Sequence, residues 1–340
     1  LKAFRYTAEY DTTIQKELSF RFGEEGLPTS LHISGIGSPP LRYGENPHQA
    51  AIFYSDNLSF GPSISSAAQL QGKQLSYNNL LDFDAALFIV TEFSEPTAIV
   101  VKHNNPCGAA SAESLEQAYE LAINTDPQSS FGGIISFNQE VGRKLAEKIT
   151  SSFKEGVIAP SFTKGALEVL SEKENLRVLE TGSLEDYERN PTLRSLDKGW
   201  LLQETDEIMI DISNCEVVTK RKPTDEELAG LQFGWKIVKH VKSNAIVFAK
   251  QKRTVGIGAG QMSRIDSVKI ATFKSIPNSK DSVMASDAFF PFRDGIDEAA
   301  KEGITAVVQP GGSVRDQEVI DAANEHNIAM VFTGMRHFKH

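Results

Sequence analysis

Lys102 and His103 stand side by side at the end of an apolar run, Thr97 to Val101, and are followed by Asn104-Asn105-Pro106-Cys107-Gly108. The run reads as a buried strand, and the Asn, Pro and Gly after it read as a turn. A strand that stops in this way delivers an ammonium and an imidazole to the rim of a sheet, where open α/β sheets place their ligands. Histidine can take a proton near neutral pH, and the neighbouring lysine supplies a fixed positive charge or a proton. The alternative reading is a strand end with two solvated polar residues.

Other stretches keep company with this pair. Leu41-Arg42-Tyr43-Gly44-Glu45-Asn46-Pro47-His48-Gln49 is a loop by composition, and Arg42 and His48 are either surface residues or ligand contacts. Gly256-Ile257-Gly258-Ala259-Gly260 has G-x-G-x-G spacing rather than G-x-G-x-x-G, so a nicotinamide-dependent oxidoreductase rests on little. Close approach of backbone is the better use of these glycines, placing Arg264 at a helix N-terminus that favours anions; the competing reading is an ordinary surface arginine. Phe289-Phe290-Pro291-Phe292 puts three aromatics in one loop. They either fill core or offer a face to a flat ligand. Gln309-Pro310-Gly311-Gly312-Ser313 exposes backbone N–H groups or makes only a tight turn. The ending Met335-Arg336-His337-Phe338-Lys339-His340 is either a frayed basic tail or, since it follows a buried strand directly, a segment at a sheet edge that closes a site.

The elements that must position these residues alternate. Helices are expected at 8–22, 76–93 (with Leu80, Leu81, Ala85 and Phe88 at helical spacing), 113–123, 140–153, near 167, after Pro223-Thr224 (with Leu228, Leu231, Trp235 and Val238 as its buried stripe), 263–273, 295–301 and 316–326. Thr224 with Glu227 fits a capping box. Strands are expected at 50–54, 97–101, 134–137, 157–159, 177–179, 201–203, 245–249, 254–257, 282–285, 305–308 and 328–332. The same order of elements in both halves argues for duplication of one α/β unit. The expected organisation is an N-terminal helix and connector (1–27), a first unit (28–182), an inter-domain excursion (183–222) and a second unit (223–340). The start at Leu1, inside a helical pattern, suggests that something precedes it.

With 340 residues, two domains are the default. Forty-five acidic against 35 basic residues give a net charge of −10, which argues against broad nucleic-acid or anionic-membrane binding. It leaves room for a phosphorylated ligand held by a few arginines. Cys107 and Cys215 fit no metal spacing and no disulfide framework, so a reducing, cytoplasmic setting is expected. No apolar run approaches the ~18 residues of a membrane span.

Seven separated motifs carry a resemblance: Arg42 to Gln49, Lys102 to Gly108, Ser130-Phe131-Gly132-Gly133, Ser243-Asn244, Gly256 to Arg264, Ser286 to Asp294, and Arg336 to His340. In this order they resemble the AICAR transformylase domain of the bifunctional purine biosynthesis family, without its IMP cyclohydrolase part. The resemblance implies a tandem pair of cytidine-deaminase-like α/β units, each a mixed sheet flanked by helices. It implies transfer of a formyl group from 10-formyltetrahydrofolate to the 5-amino group of AICAR ribotide, on the way to IMP. It also implies a homodimer with no catalytic metal, and leaves open a bound potassium ion. By the same resemblance His103 is the base and Lys102 assists. Arg42, Tyr43, His103, Gly132, Glu155, Asn244, Arg264, Phe289 and Arg336 face the ribotide. Ile265, Asp294, Ser313 and Val314 face the folate, and His340 is a further contact. Glu155 stands where the family also uses Asp, which alters its reach. The competing expectation is a ribotide-binding module of the same fold without turnover.

Overall fold

The computed structural model describes residues 1–23, 26–56 and 61–340. Its centre is one twelve-stranded sheet. From edge to edge the strands are Glu216–Val217, Ala329–Phe332, Ala306–Gln309, Val283–Ser286, Ile246–Lys250, Arg253–Gly258, Asn105–Ser111, Thr97–Lys102, Ile134–Phe137, Gly156–Ala159, Arg177–Glu180 and Ala68–Gln71.

The order is the same read outward from the middle in either direction. In the first half, Thr97–Lys102 pairs antiparallel with both Asn105–Ser111 and Ile134–Phe137. Gly156–Ala159 and Arg177–Glu180 then add in parallel, and Ala68–Gln71 closes the edge antiparallel. In the second half, Ile246–Lys250 pairs antiparallel with Arg253–Gly258 and Val283–Ser286, two parallel strands follow, and Glu216–Val217 closes the edge antiparallel. Even the irregularities correspond: the register shifts between Val100 and Val101 and, at the equivalent place, between Phe248 and Ala249. This is the expected duplication, with the two units fused into one sheet through Ala110 and Arg253. Thr254 stitches that seam: its hydroxyl bonds the Ala109 amide and carbonyl (2.9 and 3.1 Å) and the Thr125 hydroxyl (2.9 Å).

The central strands are apolar throughout because both faces are covered. Along Thr97–Lys102, Ile99 and Val101 point to one core, and Ala98 and Val100 to another. The first core lies under helices Tyr77–Val90 and Asp225–Val238 and runs across both units. On the other face each unit has its own core, beneath Leu115–Ile123, Arg143–Thr150 and Lys164–Leu170 in one and Arg264–Ser275, Asp294–Lys301 and Asp316–Glu325 in the other. A Cβ at Gly108 would run into the Ala122 carbonyl, and one at Gly258 into that of Ser267. Gly256 and Gly258 thus let the following helix lie directly against their strand.

Several expectations need correction. Asn105–Ser111 is a strand, not the continuation of a turn. The turn is only His103 and Asn104, with φ of 50° and 63°, the two-residue left-handed form suited to hairpins. Pro106 misled the reading; it lies at the register shift, where a missing N–H is tolerated. On Tyr77–Val90 the buried residues are Asn79, Phe83, Ala85, Ala86, Leu87, Ile89 and Val90; of the expected positions Ala85 is among them, whereas Leu81 faces solvent. The helix touches both the sheet and the other unit, so more than one face is apolar and the period is blurred. Thr224 and Glu227 do form the capping box. The helix expected at 113–123 begins at Leu115 behind the Ser114 cap, and that at 140–153 shrinks to Arg143–Thr150. The first helix spans Lys2–Phe22. The strand expected at 50–54 is only Tyr54–Ser55, paired with Ile36–Gly37. The strand near 201 belongs to a separate hairpin, Thr192–Leu196 with Gly199–Gln203.

Candidate active site

The hairpin turn after Lys102 presents His103 to solvent at one rim of the sheet. Its geometry is fixed from beneath, since the Asn104 amide donates to the Asp82 carboxylate (2.7 Å). Burial raises the Asp82 pKa, opposed by that bond and by the nearby imidazole. The half-buried Lys102 ammonium donates to the carbonyls of Gly132 (2.8 Å) and Phe131 (3.3 Å). An ammonium has three N–H groups, so one remains for a ligand. Gly132 takes a φ of 66° there, and a Cβ on it would press on Lys102 Nζ.

On one side of this turn lies a polar cluster at the starts of strands Gly156–Ala159 and Arg177–Glu180. Glu155 accepts from Asn79 (2.8 Å) and faces Arg177 at 3.8 Å. The exposed Arg42 guanidinium lies over the Tyr43 ring, 5.4 Å from its centre. Both residues are close enough to Arg177 to act on its charge, and burial lowers the Arg177 pKa.

On the other side a cleft of about 510 Å³ is lined by Asn244, Arg264, Ile265, Phe289, Asp294 and Arg336, together with Met262, Phe292 and Phe338. Arg264 follows the Ser263 cap, as expected, but its side chain is buried. It is ion-paired with the fully buried Asp287, and it donates to Ser286 (2.8 Å) and Asn244 (2.8 Å). Three of its N–H groups are thus taken, so it is less free to grip a phosphate than its position in the sequence suggested. The aromatic loop divides its labour: Phe290 is buried, whereas Phe289 and Phe292 are exposed at the cleft. Arg336 stacks over Phe338, and His337 beneath them is buried against Trp235 and bonded to Asp206. The chain end is therefore anchored along the cleft wall.

Wall residues join the turn to the cleft. The Lys242 amide donates to Asn105 (3.0 Å), and the Asn244 side chain donates to the Gln261 carbonyl (2.7 Å). Gln261 in turn lines a hollow of about 250 Å³ beside Lys102 and His103. The structure does not gather every candidate. Arg42, Tyr43 and Glu155 line neither space. Ser313 and Val314 are outside the cleft, Val314 fully exposed, although neighbouring Arg315 stacks on Phe292. His340 rests against Phe338 without lining the cleft. A third hollow, about 480 Å³ around Phe153 and Lys173, holds none of these groups.

Asn79, Asp82, Arg177 and Asp287 were not among the residues singled out from the sequence. Arg177 carried a signal, a cation opening a strand whose next two residues, Val178 and Leu179, are apolar. Asn79 had a weaker one, three residues after the Ser76 cap.

The family described as AICARFT/IMPCHase bienzyme matches residues 1–274. Over 339 residues, all of this chain, the bifunctional purine biosynthesis protein PurH of Anoxybacillus flavithermus is 50% identical. The protein of the same name from Caldicellulosiruptor saccharolyticus is 49% identical over 341 aligned residues, again covering the whole chain, and that from Bacillus cereus is 50% identical over 339. These matches extend past residue 274 and take in the aromatic loop and the C-terminal strap. The chain spans 66% of the length of these relatives. An identity of one half across every residue, with the family match over the first four-fifths, places the chain in the AICARFT/IMPCHase bienzyme family.

Proposed function

We propose that this chain is a phosphoribosylaminoimidazolecarboxamide formyltransferase, moving the formyl group of 10-formyltetrahydrofolate to the 5-amino group of AICAR ribotide in purine biosynthesis. One observation carries the reading. A turn bearing His103, with one free N–H on Lys102, shares a wall with a cleft that offers arginines and aromatic faces.

The chemistry needs these groups. The amine is conjugated to the ring and carboxamide and is a weak nucleophile. Its lone pair attacks the formyl carbon, and the carbonyl electron pair moves to oxygen. His103 takes the proton from the attacking nitrogen, and Lys102 donates its remaining N–H to the oxyanion. The intermediate collapses by breaking the bond from carbon to N10, which takes up the proton and leaves as tetrahydrofolate. Phe289 offers a face for the heterocycle, and the exposed guanidiniums of Arg42 and Arg336 suit a phosphate. Asp294 suits the amino edge of a pterin. In this reading the chain works as a homodimer in the cytoplasm, and a second copy brings together the groups that one copy leaves apart.

The test is tetrahydrofolate release followed spectrophotometrically with both substrates. Release should require AICAR ribotide and vanish in His103→Ala, while calorimetry still detects ribotide binding. Binding without release in the unaltered protein would instead establish a binding module.

A further inference from the structure

The helix Arg264–Ser275 touches the candidate site twice. Its first residue, Arg264, lies in the cleft of the second unit. Near its other end Lys274 reaches across the seam to the first unit, where its ammonium meets Asp126 at 2.7 Å and Ser129 at 3.4 Å. Asp126 is the cap of the one-turn helix Pro127–Ser130, accepting from the Ser129 amide (3.0 Å) and hydroxyl. The next two residues, Phe131 and Gly132, supply the carbonyls that hold Lys102. A third contact steadies the same segment, since the buried Lys154 donates to the Ser130 carbonyl (2.9 Å). Lys274 also lines the hollow beside Lys102 and His103.

We infer that Lys274 is a positioning residue for the reaction: by holding Asp126 it fixes the 127–132 segment, whose carbonyls aim the last N–H of Lys102 at the reacting carbonyl. This rests on the formyl-transfer reading. The arrangement is directional. Two carbonyls of the segment occupy two of the three Lys102 N–H groups, so turning the segment turns the third. Burial works against an ionised Asp126. The hydrogen bonds from Lys274 and Ser129, with the Lys274 charge, outweigh it and hold the carboxyl below its ordinary range. The Asp126 carboxylate is therefore held ionised, and its contact with Lys274 joins the two units next to the turn. An inter-unit tie with no catalytic consequence would look the same in outline but would not couple to Lys102.

The experiment uses the full chain with Lys274→Met, Lys274→Arg, Asp126→Asn and the double variant Asp126→Asn/Lys274→Met. Lys274→Met should lower kcat by ~10–100-fold, the scale of an ångström-level misplacement of a catalytic group. KM for AICAR ribotide should stay within about threefold, because the cleft is untouched. Lys274→Arg should restore most of kcat, and the double variant should be no worse than the poorer single one. A second readout needs no turnover: in a brief pulse of acetic anhydride read by mass spectrometry, Lys102 should be acetylated several-fold faster in Lys274→Met than in the unaltered protein. If the unaltered protein transfers no formyl group, the functional reading fails and the acetylation rates still decide the positioning. Unchanged kcat, a change in KM alone, additive effects in the double variant or unchanged acetylation of Lys102 would each overturn the inference.

Discussion

Arg264 shows how far a residue's neighbours can change its role. From the sequence it was a cation at a helix start, a natural anion site. In the fold it is one half of a buried pair with Asp287, 7% and 0% exposed. Two desolvated charges are tolerable only together, and removing one strands the other. Asp287→Ala should therefore lower unfolding stability by ~3–5 kcal/mol in urea denaturation. A change within about 0.5 kcal/mol, typical of surface sites, would mean that Arg264 is solvated after all. Lys102 and His103 were legible because a strand end, a turn and two reactive side chains lie within a few consecutive residues. Asp287, Asp82 and Arg177 were not, because their partners come from elsewhere in the chain: Arg264, the hairpin turn and Glu155.

At the scale of elements, the two helices over the shared core end in a buried charge cluster. One oxygen of Glu92 receives Arg189 (2.9 Å), Lys239 (2.8 Å) and His240 (3.1 Å). His240 is buried beside Phe88, and burial pushes its pKa down to about 4. The charges of Lys339 and Lys239 reinforce the shift, and Glu92 opposes it. The unfolded chain binds a proton on this histidine near pH 6.5, and the folded chain refuses it until about pH 4. Stability from this group is thus complete above pH 6.5 and is lost as pH falls toward 4, a decline on the order of 3 kcal/mol. Urea midpoints measured across that interval should fall in the unaltered protein and fall less steeply in His240→Gln. Equal slopes would show that His240 titrates normally. The helices themselves were readable in the sequence because capping residues and long apolar stretches are local signals. The buried residues of Tyr77–Val90 were only partly legible, Ala85 but not Leu81, because the helix lies over several strands of the sheet while its Phe88 meets His240 of the other unit, so more than one face is covered.

Among the described residues, the duplication accounts for why the candidate groups gather at one rim of the sheet. The seam joins equivalent strands antiparallel, so the two units present opposite ends of matching strands to the same rim. One rim receives the Lys102-His103 turn of the first unit and the outgoing strand ends of the second, with Arg264 and Asp287. The other receives the Gln251-Lys252 turn of the second unit and the outgoing ends of the first. The register makes Lys250 the counterpart of Lys102, and it likewise donates to a carbonyl before the next strand, that of Lys280 (3.0 Å). There the likeness ends. Gln251 replaces His103 at the turn, Leu115 replaces Arg264 behind the serine cap, and Asn138 replaces Asp287 at the strand exit. Asn138 spends its side chain on the Thr97 amide and the carbonyls of Phe93 and Glu95. The second rim keeps the framework of the first but carries glutamine, leucine and asparagine where the first carries His103, Arg264 and Asp287. Gln251→Ala should therefore leave kcat within about twofold of the unaltered protein in the tetrahydrofolate-release assay, although it alters the position matching His103. A loss comparable to that of His103→Ala would mean that both rims take part, and that a copy's second turn completes a site elsewhere in an assembly.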